Sequence, residues 1–316
     1  MRRNKVSAIL FLMVVLAVIG YSAYGMVDQR KYDDYVAVSV IVNDSSNVQW
    51  DAFREGLEQG AEDNHVHLNL VSTGTFQNAQ EEQIIVKREI DGEADGVIVE
   101  PYSSEADTIL PTESTKPIVL VETGIETDKL FTSVMTDHRK LGESLADAAI
   151  KGGETRVGIL SGNQSQLGMR QRLEGAKKRL SEAGVEVSWV LSEKEFYKKI
   201  RNMEYFADNQ VDAVVSLENN DTEKAVDLLF NDDSISWRIY GEGCSEKLVY
   251  YLDKGLIQEL IVPNEYYMGY QSIAMAAQNI RYYTDKTDQI EVEFFQVTKE
   301  NLYDEETSWI LFPTVR

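Results

Sequence analysis

From Tyr35 onward, short β-branched runs alternate with segments of helix length, and a chain patterned this way has few ways to fold. Tyr35 to Val42 (YVAVSVIV) is an apolar run of strand length that suits a strand buried on both faces. Asn43 to Asn47 is polar and turn-forming, and from Trp50 the apolar positions Phe53 and Leu57 mark one face of a helix. Further strands are expected at Val66–Val71, Gly96–Glu100, Ile118–Glu122 and Phe131–Met135. A helix is expected at Gln77–Asp91, with Ile84, Ile85, Val86 and Ile90 on its inner side, and a short one near Glu105–Leu110. The pattern then restarts. Helices at Leu141–Lys151, Gly168–Ala183, Glu195–Asn209, Thr222–Phe230, Glu246–Lys254 and Met268–Tyr283 alternate with strands at Arg156–Leu160, Val185–Leu191, Ala213–Leu217, Arg238–Tyr240, Leu260–Val262 and Glu291–Val297. Gly184 is placed to end its helix as a C-cap glycine.

Such alternation implies an α/β protein with parallel sheets flanked by helices. Two consecutive sets imply two similar lobes, alike in plan and not in residues. In open sheets of this kind, ligands sit outside the carboxyl ends of the strands. The loop carrying Asn43, Asp44, Ser45, Asn47 and Trp50 is therefore the first place to expect one.

Charge and motif content exclude several functions. The chain has 53 acidic against 31 basic side chains, a net charge of −22, and phosphate backbones are bound by basic surface; no nucleic-acid partner is expected. Cys244 is the only cysteine, so no internal disulfide and no cysteine-based metal cluster can form, and His65, His67 and His138 show no metal-ligand spacing. Neither a phosphate-binding G-x-x-x-x-G-K-[ST] loop nor a G-x-S-x-G elbow occurs, and Gly241-x-Gly243 lacks the third glycine of a dinucleotide fingerprint. The chain is read as a non-enzyme with no metal and no cofactor.

The first five residues, MRRNK, are basic, and Val6–Met26 is then 21 residues without a charge. That length spans a bilayer, with the basic tip in the cytoplasm and everything beyond it outside. Residues 6–26 are either a retained transmembrane signal anchor or a signal peptide cleaved near Ala23-Tyr24-Gly25, and residues 27–34 form a tether. With no cysteine in this stretch, a lipoprotein anchor is excluded. Retention places the protein at the cell membrane with its bulk extracytoplasmic; cleavage makes it secreted.

Seven short segments carry a resemblance. Ser46-Asn47-Val48-Gln49-Trp50, with Gly56 six residues on, is similar to an Asn-Pro-Phe-Phe loop and its helix. Asp95-Gly96-Val97-Ile98-Val99-Glu100-Pro101 resembles a "DGIIL-x-P" strand, and Pro117–Glu122 resembles "IPVVLID". Thr136-Asp137 with Leu141-Gly142, Val157–Gly162 with Arg170–Gly175, Tyr240-Gly241-Glu242-Gly243, and Asn264–Gln271 follow in the matching order. In this the chain, from Tyr35 to Arg316, resembles the type I periplasmic binding protein family: ribose-type sugar-binding proteins and the ligand cores of lactose-repressor-like regulators. The resemblance implies two lobes joined by a three-crossover hinge, with residues 35–137 plus 264–289 in lobe 1 and 138–263 plus 290–316 in lobe 2.

It also implies a set of ligand-binding positions. Trp50 stands where the family places an aromatic ring against the sugar, or else packs within its own lobe. Asn47 and Gln49 flank it, able to donate and accept as hydroxyls require; Asn47 can equally cap the helix. Arg172 matches the family's cleft arginine. Glu100, Glu122 and Glu242 end strands at the cleft, but Glu122 and Glu242 stand in place of Asp, Glu100 in place of Asn, and Thr123 in place of an arginine. Either these acids favour an amino sugar, polyamine or other cationic ligand, or some of them face water. Asp137 serves ligand or hinge, Asn219 ligand or helix cap, and Asn264 substitutes for a family glutamine that aligns with Pro263. The expected function is capture of a sugar or similar small polar ligand by hinge closure for ABC-type import. The alternative is a membrane-anchored sensing ectodomain that partners a sensor histidine kinase. No helical DNA-binding segment is expected ahead of Tyr35.

Overall fold

A computed structural model of the protein describes residues 35–105, 116–201, 204–231, 235–282 and 287–311, together with Val15. The apolar segment 6–26 is otherwise outside the described residues, as is most of the short helix expected near Glu105–Leu110. Among the described residues, no helix is long and apolar enough to cross a membrane.

The first lobe begins β1 (Val36–Ile41), α1 (Asp51–Asp63), β2 (Val66–Leu70), α2 (Ala79–Asp91), β3 (Gly96–Val99), β4 (Ile118–Val121) and β5 (Thr132–Thr136). The chain then crosses to the second lobe with α3 (His138–Lys151), β6 (Arg156–Leu160), α4 (Leu167–Glu182), β7 (Glu186–Leu191), α5 (Glu193–Lys199), α6 (Glu204–Asp208), β8 (Ala213–Ser216), α7 (Asn219–Asn231), β9 (Arg238–Glu242), α8 (Glu246–Asp253) and β10 (Ile257–Pro263). It returns with α9 (Glu265–Tyr282) and β11 (Gln289–Val292), and crosses a last time into β12 (Phe294–Thr298) and α10 (Glu305–Leu311). The sheets run β11-β5-β4-β3-β1-β2 and β12-β10-β9-β8-β6-β7. Pairing is parallel throughout except between β10 and β12. The central strands β1, β3 and β8 are buried almost throughout, as continuous β-branched runs require. Gly184, at φ +73, follows α4 where L side chains are strained.

Several details depart from the sequence reading: the helix expected over Glu195–Asn209 is two, α5 and α6, and α10 was not expected. The run expected as one strand over Glu291–Val297 is two strands in different sheets. Glu291 and Val292 pair with Met135 and Thr136, while Phe294 pairs with Pro263. The third crossing therefore lies at Glu293, and residues 290–292 belong to lobe 1, not lobe 2. On α2, Ile84 is 68% exposed and the inner face is Glu82, Val86 and Ile90. Those positions recur every four residues, and Ile84 falls between two of them.

The two lobes do resemble each other in residues at one device. Each holds a helix pair at close approach through glycines. A Cβ on Gly56 of α1 would stand 2.0 Å from the Tyr266 carbonyl oxygen, and one on Gly269 of α9 would stand 2.2 Å from that of Phe53. In lobe 2, a Cβ on Gly142 of α3 would stand 2.0 Å from the Arg172 carbonyl oxygen, and one on Gly175 of α4 would stand 2.2 Å from that of Arg139. In every case the contacted carbonyl belongs to the residue three positions before the partner glycine.

Candidate ligand-binding cleft

Between the lobes lies a cleft of about 940 Å³, lined by residues that follow β1, β2 and β3 on one side and β6, β7 and β8 on the other. This is where open α/β sheets present side chains. Its lining is rich in amides: Asn47, Gln49 and Gln77 from lobe 1 face Asn163, Gln166 and Asn220 from lobe 2. Amides donate and accept at one group, which suits hydroxyls of either role. Phe76 and Tyr102 add an edge-to-face aromatic pair from lobe 1, centroids 6.3 Å apart, and Tyr197 adds a ring from lobe 2 with the Lys224 ammonium 4.1 Å above it.

Local hydrogen bonds set this lining. The Asn43 side-chain oxygen accepts from Phe76 N at 2.7 Å, and the Glu82 carboxyl accepts twice from Tyr102 N, both at 3.1 Å. Glu100 accepts from Asn43 N at 2.9 Å and from the Gln166 amide at 3.0 Å, so it ties the first loop of lobe 1 to lobe 2. By contrast, the side-chain amides of Gln49 and Asn220 and the Lys194 ammonium bond to no described residue.

The sequence-derived site divides in two. Asn47, Gln49 and Glu100 line the cleft. Arg172, Glu122 and Glu242 do not, because they engage one another nearer the hinge. Arg172 is 1% exposed, and its guanidinium donates to Glu122 at 2.5 Å, to the Leu217 carbonyl at 2.8 Å and to His138 Nδ1 at 3.0 Å; Glu242 stands 3.6 Å away. His138 accepts at Nδ1, so it carries its proton on Nε2 and donates to the Glu122 carbonyl. Burial, with the Arg172 charge beside it, pushes His138 down to about 3, consistent with a neutral ring. Glu122 adopts φ +60, a strained conformation that aims its carboxylate across the interlobe gap. Burial pushes Glu242 up to about 7 and holds Glu265 well above the carboxylate range, with neighbouring acids adding to it. The surplus acids are thus gathered around one internal cation. Thr123, in place of the family arginine, accepts from Gly168 N at 2.8 Å and closes the same seam.

Four other expected site residues are structural. Trp50 is 6% exposed in the lobe 1 core, packs on Phe53 and donates its indole N–H to the Asn43 carbonyl. Asp137 caps α3 through Lys140 N and borders a separate pocket of about 440 Å³ beside β5 and β11. Asn219 is buried, accepting from Ser245 N at 3.4 Å, and its neighbour Asn220 takes the cleft position. Asn264 accepts from Tyr267 N at 3.0 Å at the start of α9. In each case a backbone group needing satisfaction claims the side chain. Phe76, Tyr102, Gln166 and Tyr197 were missed; the pointer to the first three was their place just beyond a strand end or in a polar loop.

Glu82 gives a direct pH prediction. Burial raises its carboxyl to about 8 from an ordinary 4.5, so the folded chain keeps a proton that the unfolded chain loses. Its contribution is complete below about pH 4.5 and declines as pH rises to about 8, at up to roughly 1.4 kcal/mol per pH unit. Glu82→Gln should flatten the fall in melting temperature between about pH 5 and 8; an unchanged slope would refute this role.

The family-wide profile for the periplasmic binding protein domain matches residues 37–283. Among solved structures, a carbohydrate transporter solute-binding protein from Agrobacterium radiobacter in complex with D-arabinose superposes with TM-score 0.72 at 19% identity, covering 88% of this chain and 99% of that one. An ABC transporter solute-binding protein from Agrobacterium vitis with bound D-fucose gives 0.75 at 14% identity, covering 86% and 98%. These likenesses show the fold. Among curated proteins, the ribose operon repressor of Haemophilus influenzae is 23% identical over 185 residues, 57% of this chain; the chain spans about half of that protein's length, 54%.

Proposed function

The chain belongs to the periplasmic binding protein domain family, and from that premise we propose that it captures a sugar-class polar ligand outside the cytoplasm by closing its lobes for ABC-type import. One observation carries the reading. The interlobe cleft presents Gln49 from lobe 1 and Asn220 from lobe 2, amides with no partner among the described residues, on opposite walls. A hydroxylated ligand bonded to both is worth more to the closed state than to the open one, and that differential drives closure. No step of bond-making or bond-breaking is assigned to the protein. The structural relatives' ligands, D-arabinose and D-fucose, are the first probes.

Residues 6–26 serve in this reading as a retained membrane anchor, supported by their uncharged length, the flanking bases and the lack of a cysteine. The same features favour a second partner class, a membrane sensor kinase that reads the closed ectodomain. N-terminal sequencing of the natural protein distinguishes retention from a chain beginning near Met26. For the site, calorimetry with a pentose and hexose panel is the test. Gln49→Ala and Asn220→Ala should each weaken the best binder about three- to tenfold, the worth of one hydrogen bond, without moving the unliganded melting temperature. Full affinity in both variants would sink the assignment.

A further inference from the structure

The strand ends are not equally available to a ligand. In each sheet the half nearer the crossovers is occupied by the protein itself. Glu122 after β4, Glu242 at the end of β9 and Glu265 after β10 surround Arg172. The seam beside them is bonded shut. Asn163 donates to the Tyr102 carbonyl at 3.3 Å, Ser104 N to the Ser165 carbonyl at 2.9 Å, and Arg170 pairs with Glu126 at 2.7 Å. The cleft occupies the other half, at the ends of β3-β1-β2 and β8-β6-β7, and runs out to the edge strands β2 and β7. Three strand ends at ~4.8 Å spacing span about 10 Å. The volume of about 940 Å³ is therefore that of a trough between lobes already in contact. It lies near the top of the ~300–1,000 Å³ range of small-molecule sites.

Its aromatic rings stand on both walls of this trough. Phe76 and Tyr102 lie on lobe 1, following β2 and β3, whereas Tyr197 lies on lobe 2 in α5, which follows the edge strand β7. Sugar rings present apolar C–H faces, and separate platforms serve separate rings. With the hinge end filled and the outer end bounded by edge strands, we propose that the ligand is a short oligosaccharide of two or more units laid along the outer half of the strand ends. A single sugar enclosed beside the hinge is the arrangement this excludes. The proposal rests on the sugar-binding reading above and goes further in naming the class.

Calorimetry on the full chain with two ladders, xylo-oligosaccharides and arabino-oligosaccharides of one to five units, tests it, with D-fucose and D-galactose as single-sugar probes. In a ladder that binds, Kd should fall at least tenfold from one unit to three. Tyr197→Ala, at a half-exposed position, should cost a three-unit ligand at least fivefold more affinity than it costs a single sugar, with the unliganded melting unchanged. A Kd flat across the ladder, a single sugar bound more tightly than any oligomer, or an equal loss for one and three units in Tyr197→Ala overturns the oligosaccharide assignment and leaves sugar binding standing. No binding by any probe overturns the sugar-binding reading itself, and this inference with it.

Discussion

Arg172→Met should lower the free energy of unfolding by about 3–5 kcal/mol, because it leaves buried carboxylates without their cation. The residue is 1% exposed, and its donors reach Glu122, the Leu217 carbonyl and His138. Methionine fills the stem volume but supplies none of those donors, and the Leu217 carbonyl and His138 Nδ1 lose their partners. Denaturant unfolding measures the loss. The double variant Arg172→Met/Glu122→Gln should recover part of it, since the largest consequence of the first change is the stranded Glu122 charge. A loss under about 1 kcal/mol, or no recovery in the double variant, would mean that water already compensates these groups.

Gly142→Ala should be comparably damaging, at the upper end of the ~1–3 kcal/mol usual for overpacking or beyond it. Most overpacked side chains relieve strain by changing rotamer. Here the atom met at 2.0 Å is the Arg172 carbonyl oxygen, and the next nearest are also backbone. Relief requires α3 and α4 to separate, which also displaces Arg172 from Glu122. The two substitutions should therefore combine non-additively, the double variant costing less than the sum. Gly74→Ala is the control: nothing lies within 4 Å of the point where its added methyl would stand, and its melting temperature should stay near wild type. Equal effects at Gly142 and Gly74 would show that the helix pair yields freely.

Sequence patterning carried the fold because its signals are local. Buried parallel strands are β-branched runs, and helices declare themselves by apolar spacing and caps, so nearly every element was readable. The third crossing was not, since Glu291–Val297 looks like one strand and only the competing partners Met135 and Pro263 divide it at Glu293. The site was legible in region more than in residue. The interlobe cleft lies at the strand ends, and Asn47, Gln49 and Glu100 line it. Whether Arg172 faces solvent or Glu122 depends on an acid 50 positions away, and whether Trp50 faces a ligand depends on the Asn43 carbonyl. A spacing cannot report which neighbour wins such a competition. The reciprocal glycines escaped notice for the same reason, as Gly142 is explained only by the backbone of Arg172.

The three crossings are strapped to one another. Asn264 N donates to the Glu293 carbonyl at 3.0 Å, joining the second to the third, and Lys140, just after the first, bridges Asp137 and Glu291 at 2.9 and 3.1 Å. Strands that cross independently form a loose cable, free to shear and to twist. Cross-linked, they form a leaf spring, soft to bending in one plane and stiff in torsion. In the function proposed above, ligand occupancy would then be converted into a single angle between the two lobes, and a docked membrane partner would need to read nothing else.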